Sequence, residues 1–281
     1  DIDNDHDMDL FVAKCGCDPV DICYRNNGDG TFTNVAATLG FGDQQQSWSS
    51  AWADFDNDGD MDVLIGTSAG DYQKLMRNDG TGFTNITAGS GFDGTTVSNI
   101  DWVAHDFNND GYVDVLGYNT VFLNNGDMTF TRGQVLPTNG PIGDLNNDGY
   151  LDIQNGSTLY MNAGGTNHYL VVNTVGTVSN ANGIGARVQI TSALGTQIRD
   201  VKSGDQFHYM SSLKTYFGLG TDAEVNNLTI YWPSGLISSI DNPSIDTVLT
   251  VVEGNPTGIV EHSADGLQLF PSPATDVLNV R

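Results

Sequence analysis

The segment ADFDNDGDMDVLIG, Ala53 to Gly66, packs five aspartates into nine residues and then turns apolar without a spacer. Blocks of like charge normally repel themselves into solvent and stay disordered. Here Val63, Leu64 and Ile65 follow at once, a run suited to a buried strand. The same arrangement opens at Asp1 (DIDNDHDMDLFVA), Asp106 (DFNNDGYVDVLG) and Asp144 (DLNNDGYLDIQNG). All four read D-x-[DN]-x-D-[G or H]-x-x-D followed by apolar residues. Oxygen atoms at one fixed spacing, four times over, require a repeating fold that brings each acidic turn to the head of a strand.

The openings at Asp1, Asp54, Asp106 and Asp144 are 53, 52 and 38 residues apart. Such periods suit propeller blades, whose units run about 40–50 residues. A second element travels with them: CYRNNGDGTFTN (Cys23–Asn34), LMRNDGTGFTN (Leu75–Asn85), VFLNNGDMTFT (Val121–Thr131) and a decayed LYMNAGGTNHY (Leu159–Tyr169). Apolar residues, an Asn/Gly turn and a further strand make a hairpin, because Asn and Gly tolerate positive φ. Each unit therefore reads as strand, acidic loop, apolar strand, variable loop, strand, NG turn, strand. Four antiparallel strands per unit make a blade, with three full blades and part of a fourth within residues 1–165.

Composition narrows the partners. Ten Lys+Arg against 35 Asp+Glu give a formal net charge of −25. Phosphate neutralisation needs basic patches, so nucleic acid is excluded as a partner, and docking on anionic lipid is disfavoured. No apolar run approaches the roughly 20 residues that cross a bilayer, so membrane insertion is not expected. With 38% hydrophobic residues, 34 Gly and 12 Phe, the chain is no acidic tail. It opens inside the first repeat without Met, which reads as a mature or trimmed fragment. Its three cysteines, Cys15, Cys17 and Cys23, suit one local disulfide in an oxidising compartment, with a zinc site as the rival reading.

Clustered carboxylates and carbonyls suit Ca²⁺, which takes six to eight hard oxygens in irregular geometry. Positions 1, 3, 5 and 9 supply side chains and position 7 a backbone carbonyl. The ligand sets are Asp1, Asp3, Asp5 and Asp9 with Asp7; Asp54, Asp56, Asp58 and Asp62 with Asp60; Asp106, Asn108, Asp110 and Asp114 with Tyr112; and Asp144, Asn146, Asp148 and Asp152 with Tyr150. Gly at position 6 makes the sharp turn; in the first loop His6 must enter the left-handed region instead. These are not EF-hands. That loop needs Glu at position 12, where this chain has Val12, Ile65, Gly117 and Asn155 inside expected strands.

Nine-residue acidic loops between strands resemble the FG-GAP/VCBS repeats of integrin-type β-propellers over residues 1–165. The resemblance implies about four Ca²⁺ ions, one bracing each blade. From His168 the acidic repeats stop, and short β-rich runs punctuated by Gly, Asn and Pro reach Glu253. NGIGARVQIT (Asn182–Thr191), KTYFGLG (Lys214–Gly220) and IYWPSG (Ile230–Gly235) resemble the ASPIC/UnbV domain, and residues 168–253 are expected to form a small β-sandwich-like domain with Phe217, Leu219 and Trp232 in its core. Residues 254–265 read as a linker. LQLFPSPATDVLNVR, within residues 266–281, resembles the start of a type IX secretion sorting domain, which implies export from a Bacteroidota-type bacterium; a Pro-rich turn before a strand is the plain alternative. The whole is an all-β chain, a partial calcium-binding β-propeller followed by the smaller domain.

An enzyme is harder to find. GTSAG (Gly66–Gly70) matches G-x-S-x-G, but a nucleophile elbow needs a helix after Ser68, and DYQKLMRNDG returns directly to a strand and turn. His6, His105, His168, His208 and His262 are scattered without an acid partner at motif spacing. The expected function is therefore a secreted or cell-surface calcium-binding protein, non-enzymatic, that binds an extracellular protein or a glycan or self-associates. The alternative is an accessory part of a secreted hydrolase or lyase whose catalytic residues lie outside this chain. Asp246-Thr247-Val248 resembles a Bacteroidota O-glycosylation signal, against the plainer reading of Thr247 as a polar residue entering a strand. An open half-ring would leave strand edges bare, so either upstream residues or neighbouring copies are expected to cover them.

Overall fold

The computed structural model describes residues 1–16, 20–43, 45–68, 73–93, 99–135, 140–205 and 208–254. Among these the secondary structure is strand only. The first sheet joins β1 (Leu10–Val12), β2 (Ile22–Asn26) and β3 (Phe32–Asn34). The second runs β4 (Ser47–Ala53), β5 (Asp62–Thr67), β6 (Lys74–Asn78) and β7 (Phe83–Asn85); the third runs β8 (Val103–His105), β9 (Asp114–Gly117), β10 (Thr120–Asn124) and β11 (Phe130–Val135). The fourth has β12 (Ile142–Gly143), β13 (Asp152–Asn155) and β14 (Thr158–Tyr160). Each is an antiparallel meander in sequence order, which is blade topology, and they do not close into a barrel. Among the described residues the second and third of these sheets have four strands and the first and fourth have three.

Burial explains why an acidic turn runs straight into apolar residues. Every residue of β5 is buried, because the strand is covered on both faces by neighbouring sheets. Between the first and second sheets lie Phe41, Val63, Ile65 and Met76. Between the second and third, Phe92 meets Trp102, Phe122 and Phe130 with ring centroids 4.9–5.4 Å apart. These are edge or tilted contacts of the kind aromatic rings prefer. The residues at position 12, Val12, Ile65, Gly117 and Asn155, all lie in strands.

Seven further strands form a sandwich: β15 (His168–Val175), β16 (Arg187–Ser192), β17 (Gly195–Asp200), β18 (Thr215–Gly220), β19 (Asn227–Tyr231), β20 (Ile237–Asp241) and β21 (Thr247–Val252). One sheet is ordered β18-β15-β21, with β15 and β21 parallel, and the other β17-β16-β19-β20. Phe217, Leu219 and Trp232 are buried in the core between them, as the sequence implies. Alternation along β15 sends Leu170 and Val172 into that core and Val171 to the opposite face. There Val171 and Tyr216 pack on Ile142, Leu151 and Ile153 of the fourth repeat unit. The sandwich thus covers the face that would otherwise await a next blade. The first and last strand of each of the first four sheets has no outer partner strand among the described residues.

The chain between β17 and β18 ties the sandwich to the first strands of three sheets. Lys202 Nζ donates to the Trp52 carbonyl at 3.4 Å, His105 Nε2 lies 3.0 Å from Asp205, and the Ser212 amide donates to the Ile142 carbonyl at 2.9 Å. His105 is therefore partnered by an acid 100 residues away, and His208 by Asp101 at 2.6 Å. Scattered spacing in sequence hid both pairs.

The sandwich is locked at its far end by Glu253, 2% exposed. Its Oε2 accepts the amides of Thr177, Val178 and Ser179 at 2.7–2.8 Å, and Oε1 accepts the hydroxyls of Ser179 and Ser234. Burial raises its pKa, but these donors outweigh that and hold the carboxyl down at about 2. A depressed carboxylate stabilises the fold above its unfolded pKa of about 4.3 and loses that contribution as pH falls through the folded value. Glu253→Ala should cost about 3 kcal/mol at neutral pH by taking a charged acceptor from three amides and two hydroxyls. In thermal melts the gap from the unmodified chain should shrink as pH falls from 5 towards 2; a gap independent of pH would refute the assignment.

Candidate metal centre

The nine-residue loops share one internal wiring. The position-9 carboxylate closes each loop by accepting the position-2 amide: Ile2 to Asp9, Phe55 to Asp62, Phe107 to Asp114 and Leu145 to Asp152, at 2.6–2.9 Å. Its other oxygen accepts the amide of the hairpin Asn in the same sheet, Asn26, Asn78, Asn124 or Asn162, at 2.7–2.8 Å in three loops and 2.9 Å in the third. The position-1 carboxylate accepts amides across the turn: Asp58 and Gly59 donate to Asp54, Gly111 to Asp106, and Asp148 and Gly149 to Asp144. Position 7 donates its amide to position 5: Asp7 to Asp5, Asp60 to Asp58, Tyr112 to Asp110 and Tyr150 to Asp148, all at 2.9 Å.

Backbone geometry matches the turn the sequence requires. Gly59, Gly111 and Gly149 have φ of 96°, 96° and 84°, and His6 takes 69° in the same place. His6 stacks on Tyr231 with ring centroids 4.1 Å apart, a contact that offsets part of the cost of a side chain at positive φ. Position 4 also turns left-handed: Asn4, Asn57, Asn109 and Asn147 have φ of 55–59°. Three of their amides reach the next loop, Asn4 to the Gly59 carbonyl, Asn57 to Gly111 and Asn109 to Gly149, at 3.1–3.2 Å. The loops therefore form a hydrogen-bonded row. Hairpin asparagines add a second set of links, from Asn78, Asn124 and Asn162 to the position-2 carbonyls of Ile2, Phe55 and Phe107 in the preceding loop.

The structure does not gather the expected ligands evenly. Ligand oxygens of Asp1, Asp3 and Asp9 lie within 4.8 Å of one another, as do those of Asp54, Asp56 and Asp58. Asp5 and Asp62 stand outside those two groups. In the third and fourth loops Asn108 and Asn146 replace a carboxylate, and their amides hydrogen-bond Asp110 and Asp148 at 2.8 and 2.7 Å. Charge is confined without full compensation. Burial first, then neighbouring carboxylates, raise the pKa of Asp56, and burial pushes Asp54 and Asp106 up to about 7 and Asp62 up to about 8. Asp114 rises well above the usual range for the same reason, with Asp106 adding repulsion.

A test of fit comes from polar atoms left over. Buried Oδ1 atoms of Asp1, Asp56 and Asp106 have no hydrogen-bond partner. A buried carboxylate oxygen without a donor is costly, and a hard cation is the partner such oxygens suit. The donor set, carboxylate and amide oxygen without sulfur or nitrogen, fits Ca²⁺.

Three features escaped sequence reasoning. The position-4 Asn was visible in all four copies but looked like filler. Position 7, expected to give only its carbonyl, also covers the hairpin glycine of its own sheet. Asp60 Oδ2 would lie 3.2 Å from a Cβ at Gly80, and the Tyr112 ring 2.9 Å from one at Gly126. The third is the sandwich itself, which lies along the loops. Gly220 donates to the Asn109 carbonyl, and Gly218 approaches so closely that a Cβ there would meet Asp106 Oδ2 at 2.1 Å. No local signal marks a contact between segments a hundred residues apart. Cys15 and Cys23 are not bonded to each other, and Cys17 lies outside the described residues. Burial pushes the Cys23 thiol up to about 12.

The repeat architecture and loop geometry define a class. Residues 1–65 and 106–153 match the FG-GAP-like repeat family, residues 47–84 the FG-GAP repeat, and residues 176–258 the ASPIC and UnbV family. The chain carries FG-GAP repeats followed by an ASPIC and UnbV domain. Among curated proteins it is similar to cartilage acidic protein 1 of Xenopus tropicalis, 27% identical over 267 residues. That match covers 81% of this chain but 40% of the relative. A solved structure, titled for specific recognition of non-reducing terminal N-acetylglucosamine by an Agrocybe aegerita lectin, covers 85% of this chain and 65% of its own at 20% identity and a TM-score of 0.37. FG-GAP repeats are typical of extracellular proteins, and among the described residues no helix is long and apolar enough to cross a membrane.

Proposed function

We propose that this chain is a secreted or cell-surface calcium-binding protein that works by binding an extracellular protein, a glycan or a second copy of itself. About four Ca²⁺ ions, one per acidic loop, would brace the row of blades. The observation that carries the reading is the set of buried, unpartnered oxygens on Asp1, Asp56 and Asp106. When bound, each ion supplies the positive charge that the loops lack. The protein's part is to hold the oxygens in place through the position-9 clamp and the Asn row.

Binding rather than catalysis is supported by what the reactive side chains do. Strand β6 begins at Lys74, which leaves no room after Ser68 for the helix of a nucleophile elbow. Export by the type IX route from a Bacteroidota-type bacterium is the finer part of the proposal; its motif lies in residues 266–281, outside the described residues.

Calorimetric titration with CaCl₂ and metal analysis test the core of the reading. Asp110→Ala should lower the calcium content by one ion while leaving the unfolding of the sandwich, with its own core, in place. Mg²⁺ should substitute poorly, since it demands tighter octahedral geometry and dehydrates reluctantly. Absence of calcium after purification in its presence would end the proposal.

A further inference from the structure

Among the described residues the first acidic loop alone has a protein cation in direct contact with its position-1 carboxylate, and Arg25 Nε lies 3.9 Å from its Asp3. Arg187, on β16, places Nη1 3.1 Å from Asp1 Oδ2 and Nη2 3.2 Å from the Asp1 carbonyl, and Nη1 also donates to Asn4 Oδ1. Nε and Nη2 are held by Asp200 at 2.8 and 3.2 Å. The side chains of Arg187, Asp1 and Asp200 are 6%, 4% and 6% exposed, so the pair sits in a site with little solvent screening. In the second loop the group matching Asn4 Oδ1 is Asn57 Oδ1, which is buried without a partner. Arg199, a buried cation near the second and third loops, is attracted to Asp54, Asp106 and Asp114 through the field alone; its hydrogen bonds go to the Ile198 carbonyl and to Gln197, and it lies over the Phe217 ring. Sequence position offers no hint of this difference, since Arg187 is 183 residues from Asn4.

We infer that Arg187 is a resident counter-ion of the first loop, so that this loop binds calcium more weakly than the other three. The inference rests on the calcium reading above. A guanidinium does not lose its proton at any accessible pH, and Asp200 anchors this one from behind, so it cannot step aside by titration. Asp1 Oδ1, Asp3 and Asp9 are still available to an ion, so the site is weakened, not lost. An ion entering there shares Asp1 with a fixed positive charge, and the two repel. Calcium in the first loop also loosens a contact that holds the sandwich against the repeats, which makes this loop the one where ion binding and sandwich docking oppose each other.

Calorimetric titration of the full chain with CaCl₂ tests this. The unmodified chain should show three tighter sites and one at least tenfold weaker, and Asp3→Asn should remove the weak one. Arg187→Gln should merge the weak site with the tight class, whereas Arg187→Lys, which keeps the charge, should leave it weak. Because Arg187→Gln strands Asp200, the double variant Arg187→Gln/Asp200→Asn is measured beside it and should merge the sites as well. Four equal sites in the unmodified chain, a weak site that survives both Gln variants, or a Lys variant that behaves like Gln would each overturn the inference. No calcium heat at all would show that the calcium reading itself has failed, and this inference with it; tight binding at the other loops keeps the two failures apart.

Discussion

Stripping calcium with EDTA is expected to lower the melting temperature of this chain by roughly 10–20 °C. Extracellular modules bind the ion with Kd of about 10⁻⁴–10⁻³ M, and at tenfold excess over Kd each site adds about 1.4 kcal/mol. Four sites then contribute about 5 kcal/mol, a large share of ordinary domain stability, and about 1 kcal/mol moves the midpoint by 2–4 °C in a domain of this size. The row of asparagines explains why the loss should be cooperative. Asn4, Asn57 and Asn109 bind the turn of each next loop, so a loop that opens releases its neighbour's position-6 carbonyl. The sandwich has a separate core of Leu170, Val188, Phe217, Leu228, Ile230 and Trp232 and should melt in a second, calcium-insensitive step. Differential scanning calorimetry with CaCl₂, MgCl₂ or EDTA separates the two. An unchanged first transition in EDTA would count against calcium as the brace.

The loops were legible because a single chemical requirement is written four times at one register, and the strand after each is apolar for a reason that repetition exposes: it lies between two sheets. The hairpins were legible in the same way, since Gly28, Gly80, Gly126 and Gly164 all have positive φ and each donates to an Asn side chain two residues earlier. What did not show was anything that depends on which segments meet. Nothing local in KTYFGLG or HYLVV shows that Tyr216 and Val171 turn towards the fourth sheet. Nothing local in GARVQIT shows that Arg187 enters the first acidic loop. The change of domain at His168 was legible, since the acidic repeats stop there, but the pairing of β15 with β18 and β21 was not. Local pattern fixes turns and strand faces; pairing between distant strands is decided by tertiary burial.

The position-9 aspartates should prove more important to the fold than to the metal. In the fourth loop Asp152 is 1% exposed and both its oxygens are committed, Oδ2 to the Leu145 amide at 2.8 Å and Oδ1 to the Asn162 amide at 2.7 Å. It therefore joins loop to hairpin whether or not an ion is present. Asn162 in turn donates to the Phe107 carbonyl at 2.8 Å, which links the hairpin to the third loop. Asp148, at position 5, is half-buried and accepts only from within its own loop, the Tyr150 amide and the Asn146 side chain. Asp152→Ala should cost about 3–5 kcal/mol in EDTA, because two donors lose charged acceptors in a buried setting. Asp148→Ala should cost less than about 1 kcal/mol there, since its donors can turn to water. With calcium present both variants lose the fourth ion, so Asp148→Ala then falls by the further contribution of that site, about 1.4 kcal/mol at tenfold excess. Urea melts of the two variants in EDTA and in CaCl₂ make the comparison. Equal destabilisation of both in EDTA would show that position 9 is an ordinary metal ligand and that the clamp adds nothing of its own.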